Sequence, residues 1–216
     1  GLDFTEGEPL LVAGRMLDPA ALSLAAAANH ASVPVVRKPL VAIIATGDEL
    51  LPPGSRPGPD QIIASNGYGV AAIARGAGAD ILDLGIVPDD RNLIAGALHR
   101  ALDAHADILV TLGGASVGEH DLVREVLTGE GMTLDFWKIA MRPGKPLMFG
   151  RIGNTRALGL PGNPVSSMVG GHLFLIPLVA RLGGRTHRPD IRDARLAGAM
   201  AGNDRRRDYV RAVAEE

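Results

Sequence analysis

Short apolar runs alternate with helical segments through most of the chain, and this alternation constrains the fold more than any other feature of the sequence. The run at residues 41–45 is continuous in Val, Ala and Ile, as expected for a strand buried on both faces of a parallel sheet. Similar runs lie at 81–87, 107–112 and 152–158, and helical segments lie at 66–77, 91–104, 121–127 and 165–182. The pattern predicts βαβ units in a three-layer α/β/α sandwich with a mostly parallel sheet, whose ligands bind at the carboxyl ends of the strands.

The regions on either side of this core differ from it in composition. Residues 17–28 are typical of an Ala- and Leu-rich helix that Asp18 caps and Pro19 opens. After position 185 the chain is rich in charge, and residues 209–213 alternate as a strand would. We therefore predict three parts, which are the end of a preceding domain at 1–38, the α/β domain at 39–184 and the start of a C-terminal β domain at 185–216. Because the chain also begins without a start-like segment, we expect it to be a fragment.

The composition excludes several classes of function. Aromatic residues make up 3% of the chain and the formal net charge is −2, which argues against nucleic acid binding through base stacking or a basic surface. Cysteine is absent, so thiolate catalysis and cysteine-ligated zinc are excluded. No apolar run approaches the roughly 20 residues of a membrane span. We expect a cytoplasmic protein that binds neither nucleic acid nor membrane.

The segment at 159–166 combines a glycine turn with a helix start. Asn163 can cap the helix and Pro164 can occupy its first position, so that the free N–H groups of the first turn point back towards Gly162. Such N–H groups form an anion site, to which Ser166 adds a hydroxyl. For this motif alone, a plain capped helix start without a ligand is the alternative.

A second glycine turn follows the predicted strand at 107–112. Gly113 and Gly114 would let a phosphate approach the backbone, and Ser116 can donate a hydrogen bond to it. The spacing matches neither a Walker A loop nor the dinucleotide-binding fingerprint. An ordinary strand-to-helix turn is the alternative.

Three cations and two prolines lie close together at residues 138–146. Prolines such as Pro146 fix φ and reduce the entropy that is lost when a site forms. Arg142 can bind an oxyanion with two hydrogen bonds, whereas Lys138 and Lys145 act as point charges. The segment therefore suits an oxyanion, and a solvated basic turn is the alternative.

Acidic residues follow three of the predicted strands. Asp48 and Glu49 come after the first strand, Asp89 and Asp90 after the second, and Asp121 after the third. Because the carboxyl ends of parallel strands share one edge of a sheet, we expect carboxylates from these three sets to converge there and to hold a hard cation such as Mg²⁺. Helix capping explains each acid singly, and Asp90 is the best candidate for a cap.

Five segments, taken together, resemble one protein family. The segments are residues 46–50, 65–66, 113–121, 141–146 and 159–166. Their order and spacing are similar to those of the molybdopterin molybdenumtransferase family, which comprises the MoeA-type enzymes and the matching domain of gephyrin. The resemblance covers roughly residues 41–184 and implies the molybdopterin-binding, MogA-like form of the α/β/α sandwich.

The resemblance also implies an activity and a set of site residues. The family transfers molybdenum from molybdate to molybdopterin, using adenylylated molybdopterin with the assistance of Mg²⁺ and releasing AMP. By motif, the catalytic residues would be Glu49, Asp89, Asp121, Lys138 and Arg142, of which the three acids are also the candidate Mg²⁺ ligands. The substrate-binding residues would be Thr46, Asp48, Gly113, Gly114, Ser116, Lys145, Pro146, Gly162, Asn163, Ser166 and Arg211.

The same resemblance implies partners and leaves two alternatives open. We expect a homodimer, since in the family an N-terminal lobe that this chain does not contain supplies acids across the dimer interface, and we expect contact with the molybdopterin adenylyltransferase. One alternative is that the chain itself is a molybdopterin adenylyltransferase, although the segments at 141–146 and 159–166 favour the molybdenumtransferase. The other is a non-catalytic pterin-binding or scaffold module, against which the intact acids argue.

Overall fold

The computed structural model describes residues 4–113 and 121–213. Within these residues the helices are α1 (Pro19–Ala27), α2 (Asn66–Gly76), α3 (Arg91–Asp103), α4 (Leu122–Gly129), α5 (Pro164–Gly170) and α6 (Ile176–Leu182). The strands are β1 (Leu40–Thr46), β2 (Leu50–Leu51), β3 (Ile62–Ile63), β4 (Asp80–Val87), β5 (Ile108–Leu112), β6 (Thr133–Trp137), β7 (Met141–Arg142), β8 (Met148–Ile152), β9 (Thr155–Leu160) and β10 (Arg207–Asp208). Apart from the two-residue strands β2 and β3, the predicted alternation of strands and helices is confirmed from β1 to α4, whereas four strands, β6 to β9, follow one another between α4 and α5.

The central sheet has six strands in the order β4-β1-β5-β9-β8-β6. The four strands from β4 to β9 are parallel, with β1 between β4 and β5. The last two strands continue the sheet in antiparallel fashion, since β8 runs opposite to both β9 and β6. The predicted mostly parallel sheet is therefore confirmed, with an antiparallel extension at one edge.

Helices cover both faces of this sheet, as successive residues of β1 show. Ala42 and Ile44 pack on one side against α3 and α4, whereas Val41 and Ile43 pack on the other side against α2 and α6. All four side chains are at most 3% exposed. Because side chains alternate across a strand, a continuous apolar run is what a doubly covered strand requires. This arrangement is the predicted three-layer sandwich.

Capping side chains define where several helices begin. The Asp18 carboxylate accepts a hydrogen bond from Ala21 N at 2.7 Å, and Pro19 is the first residue of α1. The Asp90 carboxylate accepts hydrogen bonds from two N–H groups in the first turn of α3. Both caps were predicted from the sequence, and both satisfy donors that a helix start leaves free.

The helix predicted at 165–182 is continuous but not uniform. Helices α5 and α6 are joined by one π-helical turn at Gly171–Leu175, and a Cβ on Gly171 would lie 3.1 Å from Ile73 of α2. Contrary to the expectation from the sequence, this helix is long and apolar enough to span a membrane, and it is the one such segment in the described ranges. Leu175 and Val179 are fully buried against the sheet and α2, so one face of this helix packs in the core.

The prediction of a single strand at 152–158 is wrong. Two antiparallel strands, β8 and β9, meet at a two-residue turn in which Gly153 has φ +55°. The residues that flank the turn, Ile152 and Thr155, pair directly with each other. Both are β-branched, and the Gly153-Asn154 pair between them is a hairpin signal that the prediction of a single strand overlooked.

The strand predicted at 209–213 is also not formed. Instead, β10 lies two residues earlier and pairs in parallel with β7, joining Arg207 to Met141 and Asp208 to Arg142. After β10, the N–H of Tyr209 donates to the carbonyl of Arg142 at 2.7 Å. The C-terminal segment therefore runs beside the segment predicted to bind an oxyanion.

Candidate functional site

The carboxyl ends of five strands lie along one edge of the sheet, which we call the carboxyl rim. Strands β1, β4, β5 and β9 are parallel, and β6 has the same direction because two antiparallel pairings separate it from β9. The antiparallel strand β8 therefore begins at this rim. As a result, the loop between β6 and β8, which we call the cation loop (residues 138–147), lies at the same edge as the residues that follow β1, β4, β5 and β9.

Three carboxylates of the rim lie within electrostatic reach of one another. The N–H of Asp89 donates to the carboxylate of Asp48 at 3.0 Å. Partial burial and then the negative charges of Asp48 and Glu49 raise the pKa of Asp89. The loops after β1 and β4 thus form a negative corner of the rim.

Asp121 stands apart from that corner and serves as the cap of α4. One oxygen of its carboxylate accepts from Arg124 N at 2.9 Å, and the other is buried without a hydrogen-bond partner among the described residues. Asp121 is 1% exposed, and this burial raises its pKa. The predicted set of Glu49, Asp89 and Asp121 is not assembled, because the described part of the chain contains no three metal-ligating side chains close enough to hold one ion.

The glycine turn after β5 brings two strand ends into close contact. Gly113 has φ +92°, and a Cβ at this position would lie 2.6 Å from the carbonyl oxygen of Thr46. The Thr46 hydroxyl is buried and has no hydrogen-bond partner in the ranges that the structure describes. The predicted residues Gly114 and Ser116 lie outside the described residues.

The helix start after β9 has the predicted cap. Asn163 accepts a hydrogen bond from Ser166 N at 3.1 Å, and Pro164 is the first residue of α5. Ser166 is 7% exposed, and its hydroxyl donates to the Asn163 side chain at 3.4 Å. The amide of Asn66 donates to the carbonyl of Gly162 at 2.7 Å, so a residue of α2 also fixes this turn.

The cation loop is held by main-chain hydrogen bonds at its base. Lys138 N donates to Leu147 O at 3.0 Å and Ile139 N donates to Lys145 O at 2.9 Å. Lys138 has φ +68°, a left-handed conformation that is uncommon for a residue other than glycine. Its ammonium lies 3.7 Å from the centre of the Trp137 ring. Lys145 is exposed and Pro146 half-buried.

Arg142 forms an ion pair with Asp208 of β10. The Asp208 side chain is only 8% exposed, and one of its oxygens is buried without a hydrogen-bond partner among the described residues. Arg142 is therefore paired with a carboxylate, which distinguishes the cation loop from a simple solvated basic turn. Arg211 is exposed and follows Asp208 by three residues along the same segment.

Three residues at the rim were missed by the sequence reasoning. Asn66 holds the Gly162 turn, Arg124 stacks on Trp137, and Asp208 pairs with Arg142. Asn66 could have been found from the sequence, since it belongs to one of the five segments that carry the family resemblance. The other two act through partners that no local pattern connects.

A large cleft of about 1020 Å³ lies elsewhere in the molecule. It is bounded by residues 8–17 and 32–39 of the N-terminal segment and by Gly78 and Gly184. These residues precede β1 and β4 or follow α6, so the cleft lies at the amino end of the sheet. It contains none of the rim acids or cation-loop residues, and we therefore place the candidate site at the carboxyl rim.

The fold and the rim define a class of protein, an α/β/α sandwich with a capped helix start, cations and carboxylates at one edge of a mostly parallel sheet. Residues 42–181 match the family described as "Probable molybdopterin binding domain". This match covers well over half of the chain. The chain belongs to this family.

Individual relatives agree with this assignment. A molybdopterin molybdenumtransferase of Haemophilus influenzae is 38% identical over 86% of this chain and 45% of the relative. Molybdopterin molybdenumtransferase 2 of Mycobacterium tuberculosis is 35% identical over 99% of this chain and 54% of the relative. Among solved structures, the molybdopterin biosynthesis MoeA protein of Pyrococcus horikoshii has a TM-score of 0.72 at 32% identity, covering 82% of this chain and 44% of that one. The chain spans about half the length of the curated relatives it matches.

Proposed function

We propose that this chain carries the oxyanion- and pterin-handling domain of a molybdopterin molybdenumtransferase. The whole enzyme would insert molybdenum from molybdate into adenylylated molybdopterin and release AMP. The observation that carries the proposal is the convergence of the cation loop, the capped start of α5 and the negative corner on one rim. The relatives' names support the same activity.

The cation loop and the start of α5 have the chemistry that a tetrahedral oxyanion requires. Molybdate and phosphate both need fixed N–H, hydroxyl and cationic donors. At the start of α5, Pro164 has no N–H and Ser166 N is bonded to Asn163, so the N–H of Val165 is the main-chain donor that the cap leaves beside Gly162. Lys138, Arg142 and Lys145 lie on the neighbouring cation loop. One pocket could therefore bind molybdate and the phosphate of the adenylylated pterin in turn.

The negative corner fits a role in holding Mg²⁺. The charges of Asp48 and Glu49 help to raise the pKa of Asp89, so a divalent cation there would relieve their repulsion. Mg²⁺ in enzymes is commonly held by one or two carboxylates together with oxygens of a substrate phosphate, which does not require Asp121 as a third ligand. When bound, the ion would offset negative charge as the phosphoanhydride is cleaved.

The decisive assay uses the full-length protein with adenylylated molybdopterin and molybdate. We expect AMP release to be coupled to the retention of molybdenum on the pterin. Consumption of ATP with free molybdopterin would instead identify a molybdopterin adenylyltransferase. A crystal soaked with molybdate should show density beside Lys145 and Ser166, and an ordered oxyanion bound only elsewhere would contradict this assignment.

Two substitutions separate catalysis from simple binding. Glu49→Ala and Asp121→Asn should abolish turnover and leave the affinity for molybdopterin nearly unchanged, and the asparagine retains the oxygen that caps α4. Asp90→Asn is the matched control, because Asp90 caps α3 at the same rim. A non-catalytic scaffold would be the better interpretation if neither variant changed turnover.

The remaining assignments follow from the family. We propose a cytoplasmic homodimer that receives adenylylated molybdopterin from the molybdopterin adenylyltransferase. Analytical ultracentrifugation of the full-length protein, alone and mixed with that enzyme, tests both contacts. A monomer that sediments independently of the adenylyltransferase would contradict them.

A further inference from the structure

Two cations of different segments contact the same aromatic ring. The guanidinium carbon of Arg124 in α4 lies 3.9 Å from the centre of the Trp137 ring, and the ammonium of Lys138 lies 3.7 Å from it. Both distances are well within the roughly 6 Å at which a cation interacts favourably with an indole face. Trp137 is the only tryptophan of the chain, so this ring is the only indole that could hold either cation.

The backbone of Lys138 supports the same arrangement. Its left-handed conformation is strained for a side chain with a Cβ, and such strain persists only where surrounding contacts compensate for it. The main-chain bond from Lys138 N to Leu147 O and the contact with Trp137 are compensating contacts that the structure provides. Lys138 is therefore held in one place rather than extended into solvent.

Arg124 connects this ring to the start of α4. Its N–H donates to the carboxylate of Asp121, while its guanidinium stacks on Trp137. Two like charges so close to one ring repel each other, and the negative face of the indole offsets part of that repulsion. The ring thus links the cap of α4 to the cation loop.

We propose that Trp137 is a positioning residue, which holds the cations of Lys138 and Arg124 beside the oxyanion site. This inference rests on the proposed function, because it assumes that the cation loop binds an oxyanion. Trp137 acts through its two partners and need not touch the ligand. Its contribution is to fix two flexible side chains before the ligand arrives, which lowers the entropy that binding loses.

The contact can be tested in the unliganded protein by NMR of selectively labelled lysine. The chain has only three lysines, Lys38, Lys138 and Lys145, so each signal can be assigned by a single Lys→Arg substitution. We expect the side-chain protons of Lys138 to be shifted upfield by the indole ring relative to those of the other two. An unshifted Lys138 signal in the wild-type protein would overturn the inference.

The consequence for binding can be tested by calorimetric titration with sodium molybdate. Trp137→Leu should weaken molybdate binding about 3- to 10-fold, given the strength of cation–π contacts, and Trp137→Phe should restore part of the affinity. Phe136→Leu is the matched control, since Phe136 stacks on Phe149 with ring centres 5.7 Å apart and lies over no cation among the described residues.

The possible outcomes separate this inference from the proposed function. Equal molybdate affinity of the wild-type protein and Trp137→Leu would overturn only the positioning role of Trp137 and would leave the proposed oxyanion site standing. Failure of the wild-type protein to bind molybdate would overturn the proposed oxyanion site and, with it, the positioning role. Weakened binding in Trp137→Leu with partial recovery in Trp137→Phe supports both.

Discussion

Replacing Gly113 with alanine tests how closely the ends of β1 and β5 must approach each other at the rim. The added Cβ would lie 2.6 Å from the carbonyl oxygen of Thr46, and this obstacle is backbone that cannot rotate away. A left-handed conformation costs an alanine roughly 1–2 kcal/mol, and overpacking of a tight contact costs about 1–3 kcal/mol more. We therefore expect the free energy of unfolding to fall by about 2–5 kcal/mol.

Urea denaturation followed by circular dichroism measures this loss. For a chain of this size, each kcal/mol lowers Tm by roughly 2–4 °C, so thermal melting provides a second measurement. Gly96→Ala is the matched control, because Gly96 lies within α3 and a Cβ there would meet nothing within 4 Å. That control should stabilise the protein by about 0.5–1 kcal/mol. Equal stability of Gly113→Ala and the wild type would show that the rim can open without cost.

Three further predictions concern charged side chains. Burial, together with the charges of Asp48 and Glu49, raises the pKa of Asp89, so the charged form costs stability, and Asp89→Asn should increase the urea midpoint at about pH 7 and leave it unchanged at about pH 2. Asp107 has a lowered pKa because hydrogen bonds from Arg37 and from Leu40 N outweigh the effect of its burial. Arg37→Met should therefore lower stability at about pH 7, with the difference disappearing below both the folded and unfolded pKa values of Asp107. Asp121→Ala removes the cap of α4 and should cost about 1 kcal/mol in thermal melts, whereas Asp121→Asn should not; equal melting of the two variants would argue against the cap.

Much of the rim could be predicted because its signals are local. The apolar run of β1 and the Asn163-Pro164 pair each specify an element within a few residues, and the shared edge follows from the parallel sheet. The negative corner after β1 and β4 was predictable for the same reason. Local patterns could not specify which acids lie close together. Asp121 follows β5, but its carboxylate caps α4.

The contacts that organise the cations could not be predicted in the same way. Arg142 and Asp208 are separated by 66 residues, and nothing in either segment indicates the pairing of β7 with β10. The hairpin of β8 and β9 is different, since Gly153-Asn154 between β-branched residues is a local hairpin signal that was overlooked. Without that hairpin, the direction of β6 and the position of the cation loop at the rim could not be deduced.

The same hairpin has a consequence for folding kinetics. Strands β8 and β9 are joined by two residues, and hairpins of this kind close in roughly 1–10 μs. The pairings of β1 with β4 and β5 instead require crossovers through α2 and α3, and non-local pairings of this kind form slowly because loop closure must precede any stabilising contact. During synthesis and refolding, the cation loop can therefore form independently of the negative corner, and the proposed anion site is complete only after β5 and β9 have paired.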